Sequence, residues 1–118
     1  MTHPEDQLQT ACVRWWDYAH PGICWALFHV PNGGKRNAKE AVRFKAMGVR
    51  PGVPDLLLIL PRGGFSFLAV ELKAGRNKQT ERQVFYQAAI ETASKGKYAV
   101  VRSLDEFIDT IEDYLRGE

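Results

Sequence analysis

Gly52-Val53-Pro54-Asp55-Leu56-Leu57-Leu58-Ile59-Leu60, Pro61-Arg62-Gly63-Gly64 and Phe67-Leu68-Ala69-Val70-Glu71-Leu72-Lys73 form the stretch that decides the fold. The first and third segments are short runs of Val, Leu, Ile and Phe bounded by Pro and Gly, the pattern of buried strands. The second is a turn signal, so the two strands are expected to pair as an antiparallel hairpin. Three charges interrupt this apolar sheet: Asp55 at the mouth of the first strand, Glu71 and Lys73 in the second. Side chains alternate along a strand, which sends Glu71 and Lys73 to one face, about 7 Å apart, and Val70 and Leu72 to the other. Burying a charge is costly unless it is paired or holds a metal.

A hard divalent cation would account for them. Mg²⁺ takes oxygen ligands and is commonly held by one or two carboxylates with waters and substrate phosphate. Asp55 and Glu71 can supply carboxylates from neighbouring strands, and the Leu72 backbone carbonyl a third oxygen. Lys73 would then sit beside the attacking water, to orient or deprotonate it and to offset charge on the phosphorus centre. On spacing alone, an ordinary Glu71–Lys73 ion pair on a half-exposed strand explains the pattern equally well.

Pro54-Asp55 followed by Glu71-Leu72-Lys73 resembles the PD-(D/E)XK nuclease superfamily: an Asp, a gap, then Glu-x-Lys on the next strand. The run Met47-Gly48-Val49-Arg50-Pro51-Gly52-Val53-Pro54-Asp55-Leu56 is similar, more narrowly, to the VRR-NUC (virus-type replication-repair nuclease) family. So is Val70-Glu71-Leu72-Lys73 with Gly75-Arg76, Thr80 and Gln83 after it. The resemblance spans roughly residues 4 to 116 and looks like the small-phage type of the family. It implies a restriction-endonuclease-like α/β fold and an Mg²⁺- or Mn²⁺-dependent endonuclease for branched DNA, including four-way junctions and flaps, in replication, repair or recombination. It also implies a homodimer, because two symmetric sites can nick a two-fold junction in opposed strands. Glu5 matches an acidic residue that the first helix of the family adds to the metal site. Gln83 matches a Gln in the first turn of the helix after the motif, close to the catalytic lysine and the nucleophile.

Length fits one domain, residues 1–118, with a single core. A quarter of charged residues and 45% hydrophobic ones describe a folded, water-exposed protein rather than a disordered one. No apolar run reaches the roughly 18–20 residues of a membrane span, and no signal-peptide pattern precedes Thr2. Cys12 and Cys24 lack metal or redox spacing and read as buried free thiols in a reducing compartment. The expected location is therefore cytoplasmic, and the family resemblance implies a bacterial or phage-infected cell.

Net charge is only +2, but its distribution is informative. Lys35, Arg36, Lys39, Arg43, Lys45 and Arg50 stand against the single acid Glu40 between residues 35 and 50. Arg76 and Lys78, with Lys73 and Arg82, form a second basic group just after the hairpin. Basic groups on both sides of an acidic site suit a polyanion, and Lys35, Arg36, Lys39, Arg43, Arg50, Arg76 and Lys78 are the candidate DNA contacts. Solvated helix faces would give the first cluster too.

Around the hairpin the chain reads α-β-α-β-β-α-β-α, a mixed sheet flanked by helices. The first helix opens at Thr2-His3-Pro4-Glu5, with Thr2 a cap and Glu5 a capping-box acid, and carries the stripe Leu8, Cys12, Trp15, Trp16, Ala19. Glu5 lies on that stripe and so also faces inward. Ile23 to Val30 reads as a well-covered strand. It ends in His29 and the Asn32-Gly33-Gly34 turn, where His29 is either structural or a phosphate contact or proton shuttle. Asn37 caps a short helix with Ala38, Ala41, Val42 and Met47 inward, stopped by Gly48. Thr80 and Gln83 fit a capping box, with Val84, Phe85, Ala88 and Ala89 as the packing side of the helix they open. Tyr98 to Val101 is the last strand. Ser103 caps a final helix with Leu104, Phe107, Ile108, Ile111 and Leu115 on one stripe.

Two function classes compete on this reading. One is the metal-dependent nuclease. The other is a non-catalytic DNA-binding module with a nuclease-like fold, which needs the basic face but not Asp55, Glu71 and Lys73 together.

Overall fold

The structure, a computed structural model, describes residues 3–32 and 37–117. Its elements are α1 (Pro4–Ala19), a 3-10 segment (Pro21–Ala26), β1 (Leu27–His29), α2 (Ala38–Ala46), β2 (Leu56–Leu58), β3 (Leu68–Leu72), α3 (Glu81–Ala93), β4 (Lys97–Val101) and α4 (Leu104–Arg116). The sheet order is β1-β2-β3-β4, with β1–β2 and β2–β3 antiparallel and β3–β4 parallel. This is the mixed α/β architecture expected from the sequence. The hairpin forms in the register Leu56↔Val70, Leu57↔Ala69, Leu58↔Leu68, with Arg62 and Phe65 bridged at its turn. A parallel β4 needs a crossover, and α3 provides it.

Alternation along the strands sorts side chains into two layers. Leu56, Leu58, Leu68, Val70, Leu72 and Val101 face α1 and α4, where Cys12, Trp16, Phe107, Ile111 and Tyr114 complete the main core. The opposite face carries Ala69, Tyr98 and Leu57 under Ile90 of α3, and Glu71 and Lys73 belong to this second, thinner layer. Tyr114 buries its ring and donates its hydroxyl to the Leu60 carbonyl at 2.6 Å, tying α4 to the hairpin.

Several expectations fail, each for a physical reason. Residues 21–26 form a 3-10 segment rather than a strand: Pro21-Gly22 turns the chain, and the Cys24 carbonyl accepts the Trp16 indole N–H at 3.1 Å instead of a ladder bond. A continuous apolar run carries no period to tell strand from buried turn. The surviving strand, Leu27–His29, lies at the sheet edge and not in a covered position. Cys12 is buried, and burial pushes its thiol up to about 12, but Cys24 is exposed.

Helix α2 is capped by Asn37 as expected, its side chain accepting from the Glu40 N–H at 2.8 Å. None of its residues is buried, however, and Val42 is 70% exposed. Ala38 and Ala41 are exposed with it, and so is Met47 just past its end. A helical stripe says which face is apolar, not that anything covers it. Thr2, proposed to cap α1, lies outside the described residues, as do Gly33, Gly34, Lys35 and Arg36. His3 occupies the N-cap position without a side-chain hydrogen bond, so Glu5 has no capping box to complete.

Gly52 ties the loop before Asp55 to α3. It has φ +85°, and a Cβ there would stand 2.5 Å from the Arg82 Cβ and 2.8 Å from the Arg82 backbone carbon. Both the left-handed backbone and the contact exclude a side chain. Gly52→Ala is expected to cost about 2 kcal/mol in urea unfolding.

Candidate active site

The hairpin brings Asp55 to the rim of the sheet one residue before β2, while Glu71 and Lys73 emerge from the end of β3 on the α3 side. Since β2 is only three residues long, the Leu72 N–H has no strand partner on that side. Asp55 Oδ2 accepts it at 2.7 Å instead. The N–H and C=O of one strand residue point the same way, so the Leu72 carbonyl lies at this edge as well. Asp55 is fixed from the other side too. Its own carbonyl accepts the Val30 N–H at 2.9 Å and hydrogen-bonds His29 Nδ1 at 2.8 Å. An accepting carbonyl requires the proton on Nδ1, which leaves Nε2 of the exposed His29 turned to other partners.

Glu71 is fully buried. Its Oε1 accepts from the Tyr98 hydroxyl and from Gln79 Nε2 at 3.4 Å. Its Oε2 is the only buried side-chain polar atom without a hydrogen-bond partner among the described residues. Such an orphan is costly unless something absent from the protein itself satisfies it. Lys73, only 6% exposed, forms no ion pair with Glu71 or any other described acid, so the simple ion-pair reading of the motif does not hold.

Glu5 of α1 completes the acidic side. Its Oε2 accepts from the Ala74 N–H and from Asn77 Nδ2, both at 3.2 Å, which binds the first helix to the loop after Lys73. Arg102 holds the same loop through the Gly75 and Asn77 carbonyls. The Asp55 carboxyl is raised above the usual range, first by burial and then by the charges of Glu71 and Glu5. The Leu72 N–H and His29 pull the other way.

This donor set fits a hard divalent cation: the fully buried Glu71 carboxylate with its orphan oxygen, the half-buried Asp55 carboxylate, and a strand-edge carbonyl. Among the described residues no three His, Cys, Asp or Glu side chains form a closed cluster. Mg²⁺ does not require one, since it keeps several waters.

Gln83 forms its hydrogen bonds with the helix cap rather than with these groups. Its Oε1 accepts the Thr80 N–H at 2.8 Å and its own N–H donates to Thr80 Oγ1, a complete capping box. Its position beside the site remains what the resemblance implies, and the structure assigns its side chain to the helix start. Gln79 and Tyr98 were not legible as site residues. The only sequence signal for either was a polar residue just before the cap and a tyrosine in an apolar strand. Two of the expected packing residues of α3, Val84 and Phe85, are exposed, Phe85 at 58%, and Ala88 is exposed with them. The side that turns in carries Gln83, Tyr86, Gln87 and Ile90, because the helix covers a polar site. Of the candidate DNA contacts, Lys39, Arg43, Arg50, Arg76 and Lys78 are all exposed.

An Asp and a Glu-x-Lys pair gathered at one end of a mixed four-stranded sheet with helices on both faces define a nuclease-like α/β domain. The chain belongs to the VRR-NUC domain family, whose profile matches residues 3–104. A solved structure described as a VRR_NUC domain protein is similar over 99% of this chain and 92% of its own, with TM-score 0.82 and 26% identity. No curated protein matches the chain. Membership of this family implies a DNA-related function, and no helix among the described residues is long and apolar enough to cross a membrane.

Proposed function

We propose that the protein is an Mg²⁺- or Mn²⁺-dependent endonuclease that hydrolyses phosphodiesters in branched DNA and works as a homodimer. The observation that carries this reading is the unpartnered Glu71 Oε2 beside Asp55. Asp55, Glu71 and the Leu72 carbonyl would hold the cation, and Glu5 braces the neighbouring loop. When bound, the ion supplies Lewis-acid stabilisation of the charge that develops on the phosphoryl oxygens. Lys73, free of any carboxylate, donates to the reacting phosphate or to the attacking water. The exposed bases of α2 and of the loop after β3 grip the backbone of the DNA, and Lys35 and Arg36 extend that set along the chain.

The full trio Asp55, Glu71 and Lys73 favours this over a module that only binds DNA. Duplex, flap, fork and four-way-junction DNAs incubated with Mg²⁺ or Mn²⁺, beside a solution mass measurement, test it. Cleavage of branched DNA that stops on chelation, by a particle of twice the chain mass, is expected. Binding of all four DNAs with no cleavage in either metal would establish the module instead.

A further inference from the structure

Glu71 meets its surroundings unevenly. One oxygen, Oε1, is held by the Tyr98 hydroxyl and by Gln79, whereas Oε2 has no partner. Gln79 is itself aimed, because its Nε2 also donates to Gln87 Oε1 at 3.0 Å, and Gln87 Nε2 reaches Glu91 Oε2 at 3.4 Å. Tyr98 is fixed from behind by packing with Ala69 and Ile90. The two donors thus come from different elements, β4 and the loop before α3, and converge on the same oxygen.

A carboxylate with one oxygen fixed in this way can offer a cation only the other. Mg²⁺ and Mn²⁺, in tight octahedral shells, accept single carboxylate oxygens readily. Ca²⁺ prefers larger, looser shells in which carboxylates often bind through both oxygens. Resting on the cation site proposed above, we infer that Tyr98, assisted by Gln79, is a positioning residue that restricts Glu71 to one-oxygen coordination and so selects Mg²⁺ or Mn²⁺ over Ca²⁺.

The test is a Mn²⁺ titration of the full chain without DNA, followed by EPR of the free ion, with Ca²⁺ as competitor. It compares the parent, Tyr98→Phe, Gln79→Ala and Glu71→Gln. Tyr98→Phe keeps the ring and removes the donor. It is expected to weaken Mn²⁺ by about tenfold or more, the usual effect of losing a partner of a metal ligand. Ca²⁺ should hold or tighten, so that the preference for Mn²⁺ over Ca²⁺ falls by at least about tenfold. Gln79→Ala should move the ratio the same way by less, and it decides the matter if Tyr98→Phe melts well below the parent. A general loosening of the fold would weaken both ions together and leave the ratio where it was. An unchanged ratio, with Glu71→Gln binding Mn²⁺ poorly, overturns this inference and leaves the cation site standing. Parent-like Mn²⁺ binding by Glu71→Gln overturns both.

Discussion

Asp55→Asn is expected to abolish DNA cleavage, by about 10³-fold or more, while the protein stays folded and keeps its DNA affinity. The amide oxygen still accepts the Leu72 N–H, so the 2.7 Å bond that closes the open end of the hairpin survives. What disappears is the negative charge, and with it the ligand that would hold the cation. Several kcal/mol of transition-state stabilisation correspond to that loss in rate. The sign of the stability change is informative. Burial and the charges of Glu71 and Glu5 disfavour an ionised Asp55 in the folded chain. Removing the charge should therefore raise metal-free stability by about 1 kcal/mol, or roughly 4 °C in melting temperature, the trade expected where a site is built for chemistry. A rate assay paired with a melting curve checks both halves, and parent-like cleavage by this variant would remove the site from the mechanism.

Lys73→Met should have an effect nearly as large. The side chain is almost wholly buried and no described carboxylate pairs with its ammonium, so what it contributes to the fold comes chiefly from its methylene chain. Methionine approximates that chain and leaves no partner charge unpaired, so the fold is expected to tolerate the change. Cleavage should fall by about 10²–10⁴-fold, the range for loss of one proton-transferring or charge-stabilising group. Lys73→Arg should not restore it, because a planar guanidinium cannot occupy the place of a compact ammonium. Single-turnover rates at saturating Mn²⁺ separate this step from metal binding, and a Lys73→Met variant that cleaves normally would exclude the amine.

The hairpin and the order of elements were legible because local signals agreed there: two short apolar runs, a Pro-Gly turn, and helices capped by Asn37, Thr80 and Ser103. Family resemblance added the expected acidic role of Glu5, and the structure ties Glu5 into the loop after Lys73. Other features were hidden for identifiable reasons. The parallel register that puts Tyr98 beside Ala69, and its hydroxyl on Glu71, depends on a crossover whose geometry no residue pattern records. Helix α3 misled because its inward side is polar, so the rule that apolar stripes face the core selected the exposed Val84 and Phe85 instead. Local rules fail most often where a surface serves a reaction rather than packing.

The parallel pairing of β3 with β4 also bears on when the protein can act. Glu71 draws its hydroxyl donor from 27 positions further along the chain, and the loop after Lys73 is braced by a helix 69 positions upstream. The hairpin can close from contacts near in sequence, whereas the crossover and the N-terminal brace need long-range closure, which is slower. A chain still growing on the ribosome, or one partway through refolding, would hold its acidic motif without the frame that arms it. Catalysis would then return last in a refolding experiment, after the hairpin has formed.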